Sequence, residues 1–376
     1  MKFSFSDEQV EFRTALRRFL SDTSPSVEVR RWMETDIGYD ADVWRQMSQD
    51  LGLTAVHIPE SYGGQGFGVS ELAIATEEMG RAMLCAPYFA STVLGATAIM
   101  KAGSEDQKQT LLPGIAAGEV IATLAFTEEH GRWEAESVAM TAAQEDGKYV
   151  LNGTKSFVLD GHSADLVVVV ARRPDSVGAE GLSFFTVEGH TAGLDRVLLK
   201  SADPTRKLAK LTFSNVEAAL LGEAGTAAGP LQDTLDIAAI CLANEMVGGA
   251  ERLFEDAVAY AKMRVQFGRP IASFQSLKHK AAEMLMEVEL AKSGAYYAAA
   301  AADEGDEDVS ALASLVKAAA ADTYMQTAIH AVQIHGGIGF TWENDTHLWF
   351  KRAKSSEVFL GGSDYHRERL MQEWDV

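Results

Sequence analysis

A chain of 376 residues with 47% hydrophobic side chains is long enough for two or three packed domains, and its composition does not point to disorder. The formal net charge of -21 gives a field that repels nucleic acid and anionic membrane surfaces, so an anionic small ligand would need a local basic pocket. The two cysteines, Cys85 and Cys241, stand far apart with no zinc or disulfide spacing around them, which predicts a reducing, cytoplasmic setting and no metal site. The first turns are acidic rather than a basic segment before an apolar run, and apolar runs such as Leu166 to Ala171 are too short to span a bilayer.

The chain opens on Ser6-Asp7-Glu8-Gln9, a capping-box pattern, followed by Val10, Leu16, Phe19 and Leu20 at near-helical spacing, so a packed helix is expected over 4–20. Segments 41–52, 69–82, 87–102 and 104–117 read as further helices, separated by turns such as His57-Ile58-Pro59-Glu60-Ser61-Tyr62-Gly63-Gly64. Between about 119 and 225 the pattern changes to short β-rich runs: 138–143, 149–151, 156–159, 166–170, 182–187 and 208–213. Strands at that spacing predict a small sandwich or barrel. From 226 onward the chain is helical again, with an Ala-rich tract over 295–322 whose small side chains allow close helix packing. The expected architecture is therefore an α+β multidomain chain: an N-terminal helical domain (1–118), a middle β-sandwich or barrel domain (119–225) and a C-terminal helical bundle (226–376).

One stretch interrupts the last helical region. In Arg264-Val265-Gln266-Phe267-Gly268-Arg269-Pro270-Ile271-Ala272-Ser273-Phe274-Gln275, Gly268 permits backbone shapes other residues resist, Pro270 ends a helix, and Ser273 is placed to cap the next one. Two guanidinium groups, a helix N-terminus and the Gln275 amide within one segment suit phosphate or the polar edge of a heterocycle. An ordinary helical hairpin with solvated arginines is the competing reading.

The run Leu51-Gly52-Leu53 with His57-Ile58-Pro59-Glu60 and Gly63-Gly64-Gln65-Gly66, then Asn152-Gly153-Thr154-Lys155, then Arg264-Val265-Gln266-Phe267-Gly268, and finally Gln333-Ile334-His335-Gly336-Gly337-Ile338-Gly339-Phe340, resembles the acyl-CoA dehydrogenase family along essentially the whole chain. Each motif alone is weak to moderate; their order and spacing together are specific. The resemblance implies FAD held between subunits and an acyl-CoA substrate that loses an α-proton to a carboxylate and a β-hydride to the flavin. It also implies an electron-transferring flavoprotein or similar acceptor, and a homodimer, homotetramer or heterotetramer with a paralogous subunit.

Carried over by position, the resemblance implies FAD contacts at Phe126, Thr127, Phe157, Arg264, Phe267, Ile271, Gln275, Gln333, Gly336 and Gly337. His335, with no partner at metal-ligand spacing, reads as a packing or capping residue. Family members carry a Thr-Glu-Pro-Gly-x-Gly-Ser-Asp loop where this chain has Thr127-Glu128-Glu129-His130-Gly131-Arg132-Trp133, so Trp133 makes the pocket bulkier and an unusual, bulky or branched acyl group, as in lipid or steroid degradation, is expected. Arg206 falls near the family's active-site loops, or makes a surface ion pair.

The base departs further. Most members carry Tyr-Glu-Gly-Thr where this chain has Leu360-Gly361-Gly362-Ser363, and a minority place the glutamate at the position of Ala238. Asp364, Glu245 and Asp236 lie close enough in sequence to substitute. Asp364, beside two glycines, is the first choice, with a helix N-cap as its competing role; Glu245 is either structurally partnered or functionally perturbed. Three readings follow: a dehydrogenase with a relocated base, a base-less partner subunit of a heteromeric dehydrogenase, and a flavin oxidase or oxygenase on the same scaffold.

Overall fold

A computed structural model describes residues 5–374 apart from residue 146. In chain order it contains α1 (Asp7–Thr23), α2 (Ser26–Met33), α3 (Ala41–Arg45), α4 (Val69–Ala82), α5 (Thr97–Ala102) and α6 (Glu105–Ala116). Strands β1 (Ala122–Ala125), β2 (Thr141–Glu145), β3 (Lys148–Leu159), β4 (Leu166–Arg172), β5 (Leu182–Glu188), β6 (Leu194–Leu198) and β7 (Leu208–Leu221) follow. Then come α7 (Ala228–Met263), a short hairpin of β8 (Val265–Gln266) and β9 (Arg269–Pro270), α8 (Gln275–Glu304), α9 (Val309–His335), α10 (Thr346–Val358) and α11 (Ser363–Glu373). The chain forms two compact units, and the N-terminal helices are shared between them: α1 and α4 belong with residues from Ala239 on, whereas Arg31–Gly68 and Cys85–Ala238 form the other unit.

In the second of these, the barrel unit, β4 pairs with β1, β2 and β5, β3 with β2 and β7, and β7 with β5 and β6. The ring β4-β2-β3-β7-β5-β4 therefore closes, and β1 and β6 extend it. Aliphatic and aromatic residues alternate inward to fill it, including Leu151, Val158, Val167, Val169, Phe185, Val187, Leu211 and Phe213. Two register shifts interrupt the β3/β7 ladder, between Leu151 and Gly153 and between Lys155 and Val158. At the second shift Phe157 takes a left-handed φ of 59° and stays 41% exposed, so an extra residue re-aims an aromatic ring outward.

The helical part of the barrel unit begins at Asp40, whose carboxylate caps α3 by accepting from the N–H groups of Asp42 and Val43. The expected 41–52 and 87–102 helices each contain a π-helical stretch, Gln46–Asp50 and Phe89–Ala96. Ser104 and Gln107 form a capping box at the start of α6.

In the helical unit the Ser6/Gln9 capping box starts α1, as its sequence pattern predicts. α4 and α7 cross backbone to backbone. A Cβ on Gly80 would stand 2.0 Å from the carbonyl oxygen of Glu245, and one on Gly248 would stand 2.0 Å from that of Glu77. Around this crossing lies an ionic layer built on the buried carboxylates of Glu77 and Glu78: Arg13 Nη2 is 2.7 Å from Glu77, Arg17 Nη2 is 2.6 Å from Glu78, and Lys292 Nζ is 2.6 Å from Glu251. Burial pushes the Glu77 carboxyl up, opposed by Arg13 and Lys292. The Ala-rich tract supplies the buried faces of α8 and α9, including Ala295, Ala298, Ala299, Ala313, Ala320 and Ala321.

Candidate active site

The expected cofactor residues fall into two groups, one in each unit. In the helical unit, Val265 and Gln266 pair antiparallel with Pro270 and Arg269, and Phe267 (φ 54°) and Gly268 (φ 76°) form the tight turn between them. Two consecutive left-handed residues are the geometry of a type I′ hairpin, which presents Phe267 at 91% exposure. Arg264 and Gln275 are also exposed, and Ile271 is half-buried. Arg269 lies 4.1 Å over the Phe274 ring.

Ser273 does not cap α8. Its hydroxyl donates to the carbonyl of Pro270 at 2.7 Å, the N-cap is Phe274, and no side chain caps the first turn. The sequence pattern misled because the 3-10 turn Ile271–Ser273 runs through Ser273 itself, so the N-cap of α8 falls one residue later, on Phe274. The uncapped amides sit beside exposed guanidinium groups, a donor set that suits a pyrophosphate.

Gln333 lies on the exposed face of the last turn of α9, and Gly336 and Gly337 follow it. Gly336 has a φ of 66°, and a Cβ on either glycine would meet nothing within 4 Å, so the backbone is open to a ligand lying flat against it. His335 packs here: its ring stacks on Tyr260 with centroids 4.3 Å apart, and its Nδ1 lies 2.8 Å from the carbonyl of Ala331. That stack joins the last turns of α7 and α9 and so brings the Arg264 hairpin and the glycine loop to the same end of the helical unit. The open glycine backbone, the amide of Gln333 and the uncapped cationic turn fit the ADP and pyrophosphate parts of FAD.

In the barrel unit, Phe126 and Thr127 follow β1. The Thr127 hydroxyl donates to the carbonyl of Ser156 at 2.6 Å, and the Ser156 N–H donates back to the carbonyl of Thr127 at 3.0 Å. This side chain is thus turned toward β3. Trp133 packs against Phe126 with centroids 5.8 Å apart. Lys155, wholly buried, donates to Glu128 at 2.8 Å and to the carbonyl of Phe126 at 3.2 Å. Glu128 also accepts from the N–H groups of Ala139 at 3.1 Å and Met140 at 2.9 Å. Burial pushes the Glu128 carboxyl up, but Lys155 and the two amides outweigh it and hold it below the usual range. Burial pulls the Lys155 ammonium down to about 8. The Lys155–Glu128 pair escaped the sequence reading as a pair, although a lysine in a strand of inward-packing residues was the available signal.

The turn at Leu360 and Gly361 is buried and held from two sides. Lys317, itself fully buried, donates to the carbonyls of Gly361 at 2.8 Å and Glu357 at 3.0 Å, and His366 Nε2 donates to the carbonyl of Leu360 at 2.9 Å. Leu360 has a φ of 59° and Gly361 one of 102°. A Cβ on Gly361 would stand 2.3 Å from Cδ1 of Tyr365, so an aromatic ring occupies the space of a side chain there. Ala238 is fully buried.

The carboxylates near these positions are placed differently from one another. Asp364 lies in the first turn of α11, after an N-cap at Gly362, with a fully exposed side chain 3.7 Å from Arg367. Its placement favours the helix dipole rather than an N-cap bond. Glu245 is buried on α7 and 3.1 Å from Arg352, itself buried on α10. Asp236 accepts from Gln232 Nε2 at 3.0 Å. Arg206 is buried rather than on the surface and lies 5.9 Å over the Phe89 ring. Among the described residues no His, Cys, Asp and Glu group could hold a metal ion, and no helix is long and apolar enough to cross a membrane.

Comparison with known proteins matches residues 6–119 to the acyl-CoA dehydrogenase N-terminal domain, 123–216 to its middle domain and 230–374 to its C-terminal domain. The chain is 33% identical over 374 residues to an acyl-CoA dehydrogenase of Bacillus subtilis (strain 168), covering 96% of each. Among solved structures it is similar to butyryl-CoA dehydrogenase from Megasphaera elsdenii, with a TM-score of 0.94, 29% identity and all of both chains covered. It is also similar to the Tcur3481-Tcur3483 steroid ACAD, with a TM-score of 0.88, 28% identity and 98% of each chain covered. With three consecutive domains matched and a 33% identical acyl-CoA dehydrogenase covered almost throughout, the chain belongs to the acyl-CoA dehydrogenase family of FAD-dependent oxidoreductases.

Proposed function

We propose that this chain is the FAD-holding subunit of a heteromeric acyl-CoA dehydrogenase, and that a paralogous partner supplies the carboxylate that takes the α-proton. The observation that carries this reading is Gly361: its φ of 102° and the Tyr365 ring at the place of its Cβ leave no room for a side chain where most of the family carries glutamate. Glu245 is engaged by Arg352, and Asp236 by Gln232. When bound, FAD supplies the hydride acceptor for the β-carbon. The chain's own part is to hold it: Arg264 and the α8 amides toward its phosphates, Phe267 and Ile271 packed beside it, Gln275, Gln333, Gly336 and Gly337 along its ADP portion, and Phe126, Thr127 and Phe157 toward its ring. Arg206 and Trp133 of the barrel unit border the acyl group in this reading, and Leu360 belongs to the buried turn at the position of the family's usual base. The bulk of Trp133, and the similarity to a steroid ACAD designated by two names, support a bulky acyl-CoA as substrate and a two-chain assembly. An electron-transferring flavoprotein is the proposed acceptor.

A second reading keeps the chain self-sufficient, with Asp364 as its base. The unobstructed exposure of that carboxylate next to a two-glycine turn favours it. The test is expression of the chain alone and with a paralogous subunit, followed by anaerobic titration with straight, branched and polycyclic acyl-CoAs while the flavin absorbance is recorded. Bleaching only in the two-chain complex is the expected result. Bleaching by the lone chain, abolished by Asp364→Asn, would overturn the partner reading in favour of the second.

A further inference from the structure

The Phe126 carbonyl and the Thr127 N–H belong to one peptide plane, and a buried ammonium sits on the carbonyl side of it. Lys155 Nζ lies 3.2 Å from that oxygen and 2.8 Å from Glu128. The next residue of β3 holds Thr127, which carries that N–H: Ser156 exchanges two hydrogen bonds with it, through the Thr127 carbonyl at 3.0 Å and the Thr127 hydroxyl at 2.6 Å. The register shift then turns Phe157 outward. A hydrogen bond from a charged donor to a carbonyl polarises the whole amide and strengthens the N–H at its far side as a donor.

We propose that Lys155 and Glu128 are positioning residues that act on the flavin through the Phe126–Thr127 peptide, the ammonium polarising that amide and Glu128 fixing the ammonium in place. The proposal rests on the reading that Phe126, Thr127 and Phe157 face the flavin ring. A strengthened amide donor at the ring favours the form carrying more negative charge, so the pair raises the flavin midpoint potential as well as its affinity. The charged groups around the pair are few. Glu128 is its direct partner, His130 stands 3.7 Å behind Glu128, Arg172 on β4 opposes the ammonium electrostatically, and on β7 the residue in register with Lys155 is the apolar Leu211.

The test uses the flavin-loaded protein in whatever assembly it purifies, comparing wild type, Lys155→Met with Glu128→Leu, Lys155→Arg and Phe157→Ala. The apolar double variant is expected to bind FAD about five- to tenfold more weakly and to show a more negative midpoint potential, with Lys155→Arg recovering both. Wild type carries a second measurement that needs no substitution: between pH 7 and 9 its potential should fall with an extra inflection near pH 8, where the ammonium discharges. A folded double variant with unchanged affinity and potential overturns the proposal, as does a wild-type profile without the inflection if the double variant fails to fold. The reading it rests on fails separately: Phe157→Ala leaving the flavin spectrum and affinity unchanged would mean that the ring does not lie against this strand.

Discussion

Restoring a glutamate at Gly361 is the most direct probe of why this turn is built as it is. The substitution must place an L side chain at a φ of 102°, which costs about 1–3 kcal/mol. It must also displace Tyr365, whose Cδ1 and Cε1 would lie 2.3 and 2.8 Å from the new Cβ; overpacking of this kind costs about 1–3 kcal/mol. The two add to about 2–6 kcal/mol, a large share of the roughly 5–15 kcal/mol that holds a domain folded. For a unit of this size the melting temperature should fall by about 5–20 °C. Tyr365→Ala in the same chain removes only the steric part, so a double-mutant cycle by thermal melting should return a favourable coupling of about 1–3 kcal/mol. A Gly361→Glu single variant that melts within about 1 °C of wild type, or an additive cycle, would refute the argument that Tyr365 fills the site.

Three other outcomes follow from the helical unit. Gly80→Ala or Gly248→Ala puts a methyl group 2.0 Å from a carbonyl oxygen of the facing helix and should cost more than about 3 kcal/mol, seen as loss of soluble protein or a collapsed melt. Burial, with Lys317 adding to it, pulls His366 down to about 3 from the ordinary 6.5. The unfolded chain therefore takes up a proton below pH 6.5 that the folded chain refuses, so stability should fall as pH drops from 6.5 toward 3, by on the order of 3–5 kcal/mol, and His366→Asn should flatten that slope in denaturant melts. Arg352→Met removes the cation 3.1 Å from the buried Glu245 carboxylate and should cost about 3–5 kcal/mol, whereas Arg352→Met with Glu245→Leu should cost markedly less by urea titration.

The elements most legible in sequence were those whose local signals agree with their packing. Ser6 and Gln9 announce α1, and the β-branched run Leu166–Val170 announces β4. Strand β1 was not legible because Ala122-Thr123-Leu124-Ala125 has no strand preference of its own; parallel pairing with β4 imposes that state. β6 is short and pairs along β7, and its Asp195-Arg196 center hides a two-residue period. At the site, the Arg264 hairpin and the Gly336 loop were legible through their glycines, which mark backbone geometry directly. The Gly361–Tyr365 contact was not, since it depends on a φ that a glycine permits but does not announce. The Lys155–Glu128 pair joins residues 27 apart through strand pairing, and no local pattern carries that information.

The crossing of α4 and α7 also sets a rule for how this chain can change in length. Because each glycine faces one carbonyl oxygen on the other helix, the two contacts work as a paired index mark. Inserting one residue in α7 between Glu245 and Gly248 would rotate one contact by about 100° relative to the other, so that Gly80 and Gly248 could no longer both meet the facing carbonyl oxygens. The three-residue step from Glu77 to Gly80 on α4 is thus matched to the three-residue step from Glu245 to Gly248 on α7, and neither step can change in length alone.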